Sequence, residues 1–283
     1  MNRKTKFGPV RWLLIVFAIA MIGYGAVHLF INARAYHEAE AEYENLAADY
    51  TRPKSDASED TETDAADEAE ENEALYIDWE SLKAKNPDLL CWLQYEDAGI
   101  GTDISMPVVQ AAEDDPNRYL TTTFDGQSNP SGCVFVDADA DLEKDSNVFL
   151  YGHNMRNGTM FGDLKRLYQE PDQVTNPAFC LYFPDGSVRR YQILSVCRTT
   201  SGSDLYYVPG SAEEFSSYLA KLRQNTVFPG LARFDALTAK LGDGDTRQGA
   251  LRQKLVTLST CDGSAGTKRR LLVTGIWKET EKE

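Results

Sequence analysis

KLVTLSTC, residues 254–261, is followed nine residues later by RLLVTGIWK, which begins at Arg270. Both are apolar, strand-like segments, and one loop joins them. A thiol, Cys261, ends the first and a guanidinium, Arg270, begins the second, so a nucleophile and an anion stabiliser bracket that loop. Upstream, NVFLYGHN at 147–154 puts His153 at the end of another strand-like run. It is the only histidine in the C-terminal stretch of about 240 residues. One Cys, one His and one Arg at strand ends are the ingredients of a cysteine acyl-transfer site.

Working outward, MPVVQ (106–110), GCVFVDA (132–138), AFCLYF (178–183) and VRRYQILSVCRT (188–199) also read as strands separated by turn residues. IDWESLKAKNPD reads as a short helix that stops at Pro87. Two further helices are expected, a short one over Met160 to Leu167 and a longer one over Ala212 to Asn225, where Phe215, Leu219 and Leu222 recur at helical spacing. GDGDTRQG at 242–249 reads as an exposed loop. Seven or eight strands with few helices predict a mainly β domain, a closed or nearly closed barrel.

The N-terminus has a different character. Trp12 to Ile31 is a run of twenty residues without a charge, and as a helix it would span about 30 Å, the thickness of a bilayer's hydrocarbon core. A cleaved signal peptide is the alternative, but the run is longer than the usual apolar region of about 7 to 15 residues. Residues 1–31 carry four bases and no acid, whereas residues 32–75 carry fifteen acids and three bases. The positive-inside rule then leaves residues 1–11 in the cytoplasm, 12–31 as a single-pass anchor, and everything after it outside the cell. Residues 32–75 read as a flexible acidic tether. Its first part can extend the membrane helix by a few turns, and from Thr51 onward Pro53 and the acids favour disorder. The globular domain is expected over 76–283.

The net charge of -15 and the absence of a basic stripe argue against nucleic-acid binding. Five cysteines in an exported chain leave at least one unpaired. Cys91, Cys133, Cys180 and Cys197 sit in or beside apolar runs and read as buried hydrophobes. With no C-x-x-C and one domain histidine, a zinc site is not expected, nor is any cofactor. His28 and His37 fall in the anchor and tether. Arg269 and Arg270 point to opposite sides of a strand, so periodicity alone says only that one of them faces the site.

Taken in order and spacing, IDWESLKAKNPDLLCWL, MPVVQ, YGHNMRNGTMFGDLKRL and TLSTC resemble the class B sortases, membrane-anchored cysteine transpeptidases of Gram-positive cell surfaces. The resemblance covers essentially all of residues 76–278. It implies an eight-stranded sortase barrel with a helix at its N-terminus and another in the crossover between strands six and seven. It also implies catalysis by His153, Cys261 and an arginine, and the family's pattern at the start of the last strand fits Arg270 through Gly275 better than a register starting at Arg269. Ser259 matches a groove-lining position, and Tyr206 and Tyr207 are candidate groove walls or, equally, packing of the crossover on the barrel. The implied partners are surface proteins bearing an LPXTG- or NPQTN-like sorting signal, cut after Thr, and an amine of a cell-wall precursor; a monomer is expected. A class C pilin polymerase is the neighbouring reading, but such enzymes usually bear a second, C-terminal membrane segment, and WKETEKE holds no apolar run. An inactive surface-anchored binding domain is the reading from another class.

Overall fold

The computed structural model describes residues 9–53, 75–141, 144–239, 254–263 and 266–277. The loop expected at 242–249, and most of the tether, lie outside them. Helix α1 (Pro9–Tyr50) leads into a two-stranded antiparallel sheet of β1 (Thr51–Pro53) and β2 (Leu75–Ile77). Then come helix α2 (Trp79–Lys85) and strands β3 (Leu89–Asp97), β4 (Thr102–Gln110), β5 (Val134–Val136) and β6 (Asn147–Tyr151). After a 3-10 turn at Gly162–Lys165 follow α3 (Arg166–Gln169), β7 (Ala178–Tyr182), β8 (Val188–Thr200), α4 (Ala212–Asn225), α5 (Leu231–Ala239), β9 (Leu255–Cys261) and β10 (Arg269–Trp277).

Eight strands close into a barrel in the order β10-β8-β7-β3-β4-β5-β6-β9. The pairs β4–β5 and β6–β9 are parallel and the other ladders antiparallel, so the barrel is closed, as the sequence predicts, and its strand directions are mixed. Helix α4 sits in the connection between the sixth and seventh barrel strands, β8 and β9. The strand Leu89–Asp97 is not isolated by the sequence reading. It begins with a continuous apolar run, Leu-Leu-Cys-Trp-Leu, in which Cys91, Trp92 and Leu93 are all buried, so alternation is lost where both faces are covered.

The wall of the barrel is apolar on two sides. Val148, Leu150, Val256, Leu258, Leu271 and Val273 join the interior cluster, whereas Leu194, Cys197, Leu255, Leu272 and Ile276 form a second cluster with Phe215, Tyr218, Leu219 and Leu222 of α4. Helix α4 starts where Ser211 Oγ accepts from Glu214 N over 3.2 Å, an N-cap of the kind worth about 1 kcal/mol. Each buried leucine or phenylalanine on its inner face contributes about 1.5–3 kcal/mol. The crossover is thereby clamped against β8, β9 and β10.

Residues 32–50 continue the helix, as expected of the first part of the tether, but they are not a free spacer: Ala39, Tyr43 and Leu46, spaced four and three apart, are buried in the barrel's own core cluster. Asn129 Nδ2 donates to Ala35 O over 2.7 Å, Asp125 N to Glu42 Oε1 over 3.0 Å, and Tyr43 Oη to Gly132 O. The apolar minority of an acidic segment falls on one helical face, and burial of that face outweighs the segment's polar composition. The N-terminal half of the same helix is long and apolar enough to cross a membrane, and its apolar side chains from Val10 to Ile31 are exposed.

Candidate active site

The site grows out of the parallel pair β6–β9, in which Tyr151 lies beside Ser259. Beyond the last ladder position the two chains stay joined: Gly152 N donates to Ser259 O over 3.1 Å and Asn154 Nδ2 to Cys261 O over 2.7 Å. His153 is held between these two bonds and thus level with Cys261. Gly152 permits this approach, because a Cβ there would sit 2.7 Å from the Phe161 ring. The chain turns back so that Phe161 N donates to His153 O over 3.0 Å.

Across the antiparallel ladder on the other side of β9, Arg270 stands directly opposite Cys261. Opposed residues share a face of the sheet, and this face is the outer one: Cys261, Ser259 and Thr257 are in phase with Leu255, and Arg270 is in phase with Leu272. Arg270 is half-buried, its Nη1 donating to Thr267 O at 2.7 Å and to Arg269 O at 2.9 Å. Arg269 is exposed and turns its guanidinium toward Gly263. Of the two arginines, Arg270 is the one on the thiol's face.

His153 has an orienting partner that no side-chain motif signals. Its Nε2 lies 2.9 Å from Leu120 O. A carbonyl only accepts, so Nε2 carries the proton in this bond. Leu120 belongs to the segment that α1 braces through Asn129, Asp125 and Gly132, and Gly132, at φ +58°, passes against the Tyr119 and Leu120 carbonyls where a Cβ would not fit. Asp262, next to the thiol, turns elsewhere: its carboxylate pairs with Arg198 Nε at 2.9 Å and accepts from Tyr168 Oη at 3.3 Å.

The adjacent tyrosines separate. Tyr206 Oη lies 2.8 Å from Ser259 Oγ, and its ring packs on Phe149 with centroids 5.4 Å apart. Burial raises the Tyr206 hydroxyl above its ordinary pKa against the hydrogen bond shared with Ser259 and the charge of Arg270, while Cys261 adds to the rise. Tyr206, Ser259, Arg270 and Cys261 therefore form one neighbourhood. Tyr207 instead packs against Tyr218 of α4, centroids 6.2 Å apart, and joins the crossover. The face also contains Phe149 and Tyr151, which the sequence reading passed over because a buried strand explains them equally well.

All five cysteines are free. Burial pushes Cys91 and Cys133 up to about 12 and Cys197 to about 11, which keeps them as inert thiols. Cys261 is half-buried at a strand end, where a reactive sulfur needs to be.

The Sortase domain family matches this chain over residues 100–276. Sortase B of Listeria monocytogenes is 28% identical over 201 residues, 69% of this chain and 71% of that protein. The crystal structure of Clostridium perfringens sortase B superposes with a TM-score of 0.55 at 29% identity, covering 71% of this chain and 99% of its own. The Staphylococcus aureus sortase B–substrate complex shares the fold, with a TM-score of 0.60 at 19% identity over 87% of this chain and 98% of its own. With the closed barrel and the crossover helix in their expected places, this chain belongs to the sortase family of cysteine transpeptidases, as a class B member.

Proposed function

We propose that this enzyme cleaves a C-terminal sorting signal of LPXTG or NPQTN type after its Thr and transfers the protein to the amine of a cell-wall precursor, using Cys261, His153 and Arg270. The observation that carries this reading is the pair of relationships around β9: Arg270 directly opposite Cys261 on one side, and His153 tied level with it on the other.

The Cys261 thiolate attacks the scissile carbonyl carbon, and the Arg270 guanidinium stabilises the oxygen that becomes negative. As the C–N bond breaks, His153 as imidazolium gives its proton to the departing amine, leaving a thioester on Cys261. The acceptor amine then attacks the thioester, its proton passes to His153, and the new amide leaves as the thiolate is restored. Ser259 and Tyr206 line the approach along the outer face. The apolar half of α1 anchors the enzyme as a single-pass membrane protein with its barrel outside the cell. The arrangement of bases before the apolar run supports that orientation.

The test is a sorting-signal peptide incubated with an amine acceptor and either the wild type or Cys261→Ala. Wild type is expected to form the transpeptidation product and a trappable thioester, the variant neither. Equal cleavage by both proteins would sink the reading.

A further inference from the structure

The outer face that leads to Cys261 does not end at Ser259 and Tyr206. From Cys261 it runs through Ser259 to Tyr206, on to Phe149, and across to Tyr151, whose ring lies 6.4 Å from Phe149 and 5.5 Å from Phe135 between centroids. Tyr151 then donates its hydroxyl to Asp137 Oδ2 at 2.8 Å. Asp137 follows β5 directly, and its backbone is pinned where Gln110 Nε2 donates to Asp137 O at 2.9 Å. An aromatic strip therefore connects the reactive cysteine with one fixed carboxylate.

The electrostatics of this strip are asymmetric. At the cysteine end stands the Arg270 guanidinium; at the far end stands a carboxylate whose described partner is a hydroxyl and not a cation. Although its edge is open to solvent, crowding raises the Asp137 carboxyl above its ordinary pKa, against the Tyr151 hydrogen bond and with Asp139 adding to the rise. A negative charge so placed gains from an arriving cation.

Resting on the reading of this face as the substrate groove, the geometry points to Asp137 as a specificity-determining residue that selects a basic side chain, lysine or arginine, about five residues from the scissile bond of the sorting signal. Strand β5 is two ladders from β9, about 10 Å at the usual strand spacing, and Asp137 continues the β5 register opposite Phe149, level with Thr257 and about 13 Å along β9 from Cys261, so an extended peptide crosses the resulting separation of about 16 Å in about five residues. The half-buried Tyr151 ring suits the methylene stem of such a side chain, and Asp137 its charged end.

The experiment uses the full-length enzyme in detergent micelles and sorting-signal peptides in which Lys, Gln or Glu is scanned through every position of the signal and through its flanks to about six residues from the scissile bond. The readout is the ratio of kcat/KM between peptides for one enzyme, which cancels differences in the folded fraction. Wild type is expected to favour Lys over Gln at one position about tenfold and Glu least, with the preference shrinking as salt is raised. In Asp137→Asn the Lys to Gln ratio falls to about one, and in Asp137→Lys the order of Lys and Glu inverts. Cys261-dependent turnover indifferent to this charge, or a Lys preference that survives in Asp137→Asn, overturns the assignment alone. Cleavage that persists in Cys261→Ala overturns both it and the transpeptidase reading.

Discussion

The side-chain amide of Asn154 donates to the carbonyl oxygen of Cys261 over 2.7 Å. The segments carrying His153 and Cys261, the proposed acid–base and nucleophile, are thus tied by a third residue, immediately after His153 in the chain. Misplacing reacting groups by about 1 Å costs up to about a hundredfold in rate. Asn154→Ala should therefore lower kcat by about ten- to a hundredfold with a smaller change in KM, measured with a saturating peptide series. An unchanged kcat would mean that the β6–β9 ladder alone positions His153.

The two arginines at the start of β10 make a sharper test. Only Arg270 is opposite Cys261; Arg269 is one residue out of phase and exposed. Arg270→Ala should reduce kcat by about 10²–10³, the usual loss when one donor to an oxyanion is removed. Arg269→Ala should retain activity within a few-fold. Steady-state kinetics of the pair decide it, and the reverse order would transfer the role to Arg269.

How legible these features were depends on where the information lay. The strands carrying Cys261, Arg270 and His153 are long apolar runs, and the motif around YGHN is dense in side chains, so both showed in the sequence. The Leu120 carbonyl that orients His153 is backbone, and any residue at 120 would present it. Tyr206 and Tyr207 are chemically identical neighbours, and only the packing of α4 on β8 to β10 separates a groove wall from a crossover contact. In residues 32–50 the acidic composition masked Ala39, Tyr43 and Leu46, whose helical spacing is visible once α1 is known to meet the barrel.

That contact yields a stability prediction. Leu46 is 2% exposed within the barrel's core cluster, and Leu46→Ala should cost about 3 kcal/mol by loss of burial plus a cavity. By the same reasoning a fragment beginning at residue 76 should unfold at lower urea concentration than one beginning at residue 32. Coincident midpoints for the two fragments would show that the helix is a passive spacer.

A pH dependence follows from Asp97 at the end of β3. Its side chain is fully buried and accepts from Asn176 N at 2.8 Å, Thr175 Oγ1 at 2.8 Å, Thr175 N at 3.0 Å and Gly99 N at 3.0 Å. Burial raises its pKa, but the hydrogen bonds from Asn176, Thr175 and Ile100 outweigh it and hold the carboxyl below the ordinary value. A depressed folded-state pKa means that the unfolded chain binds the proton first, so the stabilisation is complete above the unfolded value of about 3.9 and is lost as pH falls through the folded one. Asp97→Asn should accordingly be less stable than wild type by about 2 kcal/mol near neutrality, the scale of hydrogen bonds to a charged group. The gap between the two urea-unfolding curves should close only in strong acid, below about pH 4. A difference that is already absent at pH 7, or that widens on acidification, would mean that the loop at 175–176 is held to β3 by its neutral contacts and not by the Asp97 charge.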